Sequence, residues 1–90
     1  MSVSSLNPQT ARRLGVPENT KGMVVTSIEP ISPAADAGLQ PGDVITQVNR
    51  QPVSSVAELK SALTQTKERP ALLLINRRGA NLYLTMRPER

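Results

Sequence analysis

The most constraining stretch of this chain is a run of punctuation set between two apolar segments. Ser32-Pro33-Ala34-Ala35-Asp36-Ala37-Gly38 reads as a miniature helix, with Ser32 as cap, Pro33 at the first helical position and Gly38 past the end. Three residues on, Pro41-Gly42-Asp43 reads as a type II turn, with Gly42 supplying the positive φ that geometry demands. Before this unit lies Met23–Ile28 and after it Val44–Val48, both rich in β-branched residues and both expected as strands. Strand, short helix, tight turn and strand within 26 residues leave little room for anything but a small mixed domain.

The rest of the chain repeats this grammar. Asn7-Pro8 opens a helix predicted over Pro8–Leu14 and stopped by Gly15. Val16–Lys21 lacks periodicity and reads as a loop. The turn Asn49–Pro52 closes the second strand. Ser55-Val56-Ala57-Glu58 is a capping box that starts the longest helix, expected from Val56 to about Thr66. Its apolar set of Val56, Ala57, Leu59, Ala62 and Leu63 is wider than one seam, so this helix is expected to touch two things. Ala71–Asn76 and Asn81–Arg87 form a hairpin around Arg78-Gly79-Ala80. In the last strand Leu82, Leu84 and Met86 alternate with Tyr83, Thr85 and Arg87, as in a sheet with one wet face. The predicted fold class is α+β: a small, mainly antiparallel sheet or partial barrel flanked by one long and two short helices.

Ninety residues support one domain, read here as a core over about residues 7–88 behind a flexible segment at residues 1–6. With no histidine and no cysteine, the chain lacks the commonest general base, the commonest metal ligand and the thiolate nucleophile. No Ser–His–Asp constellation can form within it, and Ser61 beside Lys60 points in another direction as a helical neighbour. No catalytic residue, metal ligand or cofactor site is expected. The net charge of +4 comes from scattered residues, and Tyr83 is the single aromatic available for stacking, so nucleic acid is not expected as a partner. No apolar run approaches the ~20 residues of a membrane span, and Met1–Pro8 lacks a signal peptide's apolar core.

One segment says more than fold. Lys21-Gly22-Met23-Val24-Val25 places a glycine between a loop and a strand. Gly22 either starts the strand and nothing more, or lets a ligand approach while successive N–H groups form a nest for a carboxylate. A strand leaving such a nest, beside an amphipathic helix, has the layout of β-strand addition.

Ser32-Pro33-Ala34-Ala35, then Ala37-Gly38-Leu39-Gln40-Pro41-Gly42-Asp43-Val44-Ile45 and Val48-Asn49, resembles bacterial PDZ domains, in register from about Asn7 to Pro88. The leading helix, the loop Gly15–Gly22 and the ending Asn81–Pro88 look like the second, C-terminal-side PDZ domain of Do-like (HtrA-type) serine proteases. PDZ domains of intramembrane site-2 proteases share the Ala-Gly-Leu-Gln-Pro-Gly-Asp stretch but usually lack that leading helix and loop.

The resemblance implies a non-catalytic peptide-binding module of a periplasmic protease engaged in protein quality control. By position, it puts the N–H groups of Lys21, Gly22 and Met23 on a ligand carboxylate and pairs the ligand strand with Val24, Val25, Thr26 and Ser27. It lines the groove with Met23, Val25, Val56, Lys60 and Leu63. Two positions depart from the family pattern: Lys21 stands where an apolar residue is usual, and Thr20 where glycine is. Implied partners are polypeptide C-termini or extended unfolded segments with apolar end residues, together with the protease domain and other PDZ domain of the parent. Docking within a protease oligomer, with the groove idle, is the alternative function.

Overall fold

The computed structural model describes residues 1–64 and 69–87. In chain order the elements are β1 (Ser2–Ser5), α1 (Pro8–Leu14), β2 (Met23–Ser27), α2 (Pro33–Ala37), β3 (Val44–Val48), β4 (Gln51–Pro52), α3 (Val56–Thr64), β5 (Ala71–Arg77) and β6 (Ala80–Met86). The strands form one antiparallel sheet in the order β1-β2-β3-β5-β6, with β4 turning back on β3.

Local chemistry starts each helix as its sequence predicts. Asn7 Oδ1 accepts from the Thr10 N–H at 2.8 Å, and Ser32 Oγ from the Ala35 N–H at 3.2 Å. Ser55 Oγ accepts from the Glu58 N–H at 3.1 Å, and the Glu58 carboxylate reaches back to Ser54, taking its N–H at 3.1 Å and its hydroxyl at 2.8 Å. The return bond of the capping box thus lands one residue before the cap. Gly42 has φ 95°, and the Asp43 N–H closes the turn on the Gln40 carbonyl at 3.1 Å. The expected extension of α3 to about Thr66 and the expected end of the core at Pro88 lie outside the described residues.

Met23-Val24-Val25 is continuous rather than alternating because β2 is buried on both faces. Met23 and Val25 enter the main core with Ile45, Val48, Leu59, Leu73 and Ile75. Val24 faces the other way, packing with Val44 of β3 against Ala11 and Val16. α1 therefore covers one side of the sheet and α3 the other. Burying each of the Val, Leu, Ile and Met side chains contributes about 1.5–3 kcal/mol, and Ala11 less.

Residues 1–6, read from the sequence as a flexible segment, instead carry β1. Val3 packs on the main core, Thr26 Oγ1 donates to the Ser2 carbonyl at 3.0 Å, and the Leu6 N–H donates to Gly22 at 3.3 Å. One apolar residue among Ser2-Val3-Ser4-Ser5 gives no periodic signal, and the order comes from pairing with β2.

Candidate functional site

The strand expected to receive a ligand is already paired on both sides. β1 runs along one edge of β2 in the register Val3↔Val25, Ser4↔Val24 and Ser5↔Met23, while β3 takes the other with Val24↔Val44. Val25 spends both of its backbone groups toward the β3 side, donating to the Asp43 carbonyl at 2.8 Å and accepting from the Gly42 N–H at 2.7 Å. Val24, Val25, Thr26 and Ser27 thus present no open edge, and the expected ligand pairing there is corrected. Met23 and Val25, expected in the groove, are fully buried in the core.

The expected carboxylate nest meets the same difficulty. A Cβ on Gly22 would stand 2.5 Å from the Ile45 carbonyl oxygen and 3.0 Å from Val44 Cγ1. Glycine is required there because the start of β2 presses against β3, so the close approach that Gly22 permits is internal. Its carbonyl is taken by Leu6, while Lys21 stands in solvent. Met23 pairs with Ile45 of β3, and none of Lys21, Gly22 and Met23 lines the cavity beside α3.

The edge beyond β2 belongs to β1, one of the sheet's two end strands. In an antiparallel ladder, opposed residues either exchange both hydrogen bonds or aim all their backbone groups away from each other. Val25 aims its groups at β3, so Val3 opposite it aims its N–H and C=O outward from the sheet. Ser5, two residues on, repeats the arrangement. The edge faces a cavity of about 510 Å³. Met1 and Val3 form one wall, and Val56, Leu59, Lys60 and Leu63 of α3 form the other. Ser32, Pro33, Ala34, Thr64, Ala71, Met86 and Arg87 complete the lining. The structure brings Val56, Lys60 and Leu63 together on one wall, as their spacing of four and three residues requires. Leu59 is 2% exposed and belongs to the core while also lining the cavity.

Two polar clusters hold this geometry. Glu58 fixes the start of α3, its carboxyl held below the usual 4.5 mainly by the Ser54 hydroxyl, then by the Ser54 N–H, with a smaller contribution from the Ser55 hydroxyl against desolvation. Arg77, at the end of β5, grips buried Asp43 through Nε at 2.9 Å and Nη2 at 2.8 Å, and reaches the Gly38 carbonyl at 2.9 Å. Asp43 Oδ2 also accepts the Gln40 N–H at 2.9 Å. The hydrogen bond to Asp43 holds the Arg77 guanidinium above its ordinary pKa, so it stays charged. Among the described residues no cluster of three or more acidic side chains could hold a metal ion. No helix among them is long and apolar enough to cross a membrane.

A small antiparallel sheet with a helix set across its free edge defines a strand-accepting module, and the comparisons agree. The model of the PDZ domain family matches residues 24–77, more than half of the chain, which therefore belongs to that family and is a non-catalytic domain. Within it, the chain is similar to a probable periplasmic serine endoprotease, DegP-like, of Chlamydia pneumoniae, with 38% identity over 87 residues. That match spans 97% of this chain and 18% of the relative's length. Among solved structures, the HtrA3 PDZ domain bound to a phage-derived ligand (FGRWV) superimposes with a TM-score of 0.82 at 30% identity, covering 99% of this chain and 81% of that one. The HtrA-type protease AlgW with a decapeptide gives 0.80 at 31%, covering 96% of this chain and 26% of that one. The fold class, with its antiparallel sheet, two short helices and one longer helix, is the one the sequence predicts.

Proposed function

We propose that this domain is the peptide-binding module of a periplasmic Do-like (HtrA-type) serine protease, and that it takes extended segments or C-termini of polypeptides by strand addition to β1. The observation that carries this reading is the outward-facing backbone of Val3 and Ser5 beside a cavity walled by the aliphatic side chains of Val56, Leu59 and Leu63. Main-chain bonds to the edge supply affinity without regard to sequence, and the cavity adds selection by side chain. The peptide ligands of the two similar solved structures support the assignment. The protease domain and other PDZ domain of the parent are the expected intramolecular partners. With two edge residues and one pocket available, affinity should be weak, on the order of micromolar.

Amide NMR during titration with the free-acid peptide Phe-Gly-Arg-Trp-Val tests the assignment. Shifts should concentrate at Val3, Ser5, Val56, Lys60 and Leu63. Shifts centred on Lys21 and Gly22 would return the site to the loop before β2. No shift anywhere would favour docking within the protease, with the groove idle.

A further inference from the structure

Building on the β1–α3 groove as a peptide site, we propose that it selects peptides with an acidic side chain immediately before an apolar anchor residue, and that Lys60 and Arg87 read that acid. The cavity's lining includes two cations, Lys60 and Arg87, and neither Asp nor Glu. Both cationic residues are exposed, beside the aliphatic side chains that make up most of the lining. Among the described residues, the acids are engaged elsewhere or stand off the cavity. Glu18 pairs with Arg12 at 3.2 Å, Asp43 with Arg77 at 2.8 Å, and Glu58 is held by Ser54 and Ser55. Glu29 and Asp36 do not line the groove. Among the described residues, no ion pair engages Lys60 or Arg87.

The position of the acid follows from strand geometry. Side chains of an added strand alternate, so an anchor pointing into the floor sends the preceding residue toward solvent. Lys60 and Arg87 are both exposed, so their charged ends can meet it there. The aliphatic stem of Lys60 can lie along the Val56–Leu63 wall while its ammonium stays at the rim. The planar fork of Arg87 suits a carboxylate's two oxygens. Low-dielectric walls concentrate the positive potential over the opening, and the net charge of +4 adds to it at longer range.

Fluorescence anisotropy on the whole domain tests this with labelled free-acid peptides Gly-Gly-Leu-Xaa-Val, where Xaa is Glu, Gln or Lys. Every peptide keeps the same terminal carboxylate, so only the side chain is compared. The Glu peptide should bind about threefold tighter than the Gln peptide, and the Lys peptide weaker than both. The gap should narrow between about 50 and 500 mM salt. It should vanish in the Lys60→Gln/Arg87→Gln variant and shift toward the Lys peptide in Lys60→Glu. Equal binding of Glu and Gln peptides to the parent domain would overturn the acidic preference and leave the groove standing. Binding of none of the three would overturn the groove and this inference together.

Discussion

Arg77 and Asp43 meet in a two-pronged pair, Nε to Oδ1 at 2.9 Å and Nη2 to Oδ2 at 2.8 Å, that ties the last residue of β5 to the turn entering β3. The Asp43 side chain is 2% exposed and that of Arg77 29%, so the carboxylate depends on a partner that solvent still reaches. Removing Arg77 strands a buried charge with the Gln40 N–H as its remaining partner. Breaking a fully buried pair costs about 3–5 kcal/mol, and the partial exposure of Arg77 lowers the expectation to about 2–3 kcal/mol for Arg77→Met. Arg77→Lys should lose less, since it keeps the charge but not the fork. Urea unfolding of both variants, with an unchanged m-value, measures this. A loss under ~0.5 kcal/mol for Arg77→Met would show that the pair is incidental.

Gly22→Ala should destabilise the domain by about 3 kcal/mol, near the upper end for overpacking. The atom in the way is the Ile45 backbone oxygen, which a rotamer change cannot move aside. Lys21→Ala next to it, in solvent, should stay within about 0.5 kcal/mol. Thermal melts of the two variants decide the matter: a fully stable Gly22→Ala domain would mean that β2 and β3 are not pressed together as described.

These two cases show how far sequence alone reaches. The caps Asn7, Ser32 and Ser55 and the turn at Gly42 were legible because each is written in three or four neighbouring residues. That Val56, Lys60 and Leu63 share one face of α3 was legible from spacing, while their assignment to a groove came from the family resemblance. The groove's other wall was not legible. Whether β2 has an open edge depends on Ser2–Ser5, a polar segment with one valine whose strand exists by pairing rather than propensity. Gly22 announced a close approach, but a single glycine does not say whether ligand or carbonyl comes near. Asp43 and Arg77, 34 positions apart, carried no joint signal.

Acid should loosen the α3 wall before the rest of the fold. Glu58 has its folded pKa lowered, chiefly by the Ser54 hydroxyl, so its contribution is fully present above the ordinary 4.5. That contribution is lost as pH falls through the lower folded value. Glu58→Gln should therefore be less stable than the parent at neutral pH, with the difference disappearing in acid. Amide hydrogen exchange in Val56–Lys60 across that range reads the effect at the cap itself. A stability difference independent of pH would assign the role of Glu58 to packing rather than charge.

Val56 should turn the groove against ligands with a hydroxyl two residues before their end. It is 38% exposed and lines the cavity near the start of α3, within reach of a ligand side chain that alternates back toward the helix. A Ser or Thr hydroxyl pressed against its methyl groups would give up water without gaining an acceptor, at a cost of about 1–3 kcal/mol when fully buried. An aliphatic side chain there gains about 0.8 kcal/mol per buried CH₂. The expected motif is therefore apolar at both the third-from-last and last positions of a free C-terminus. Val56→His, which places an imidazole acceptor on the same wall, should shift the preference toward Thr. An array of free C-terminal peptides, screened against parent and variant, reads both effects. Enrichment of Ser or Thr at the third-from-last position by the parent domain would mean that Val56 does not face the ligand.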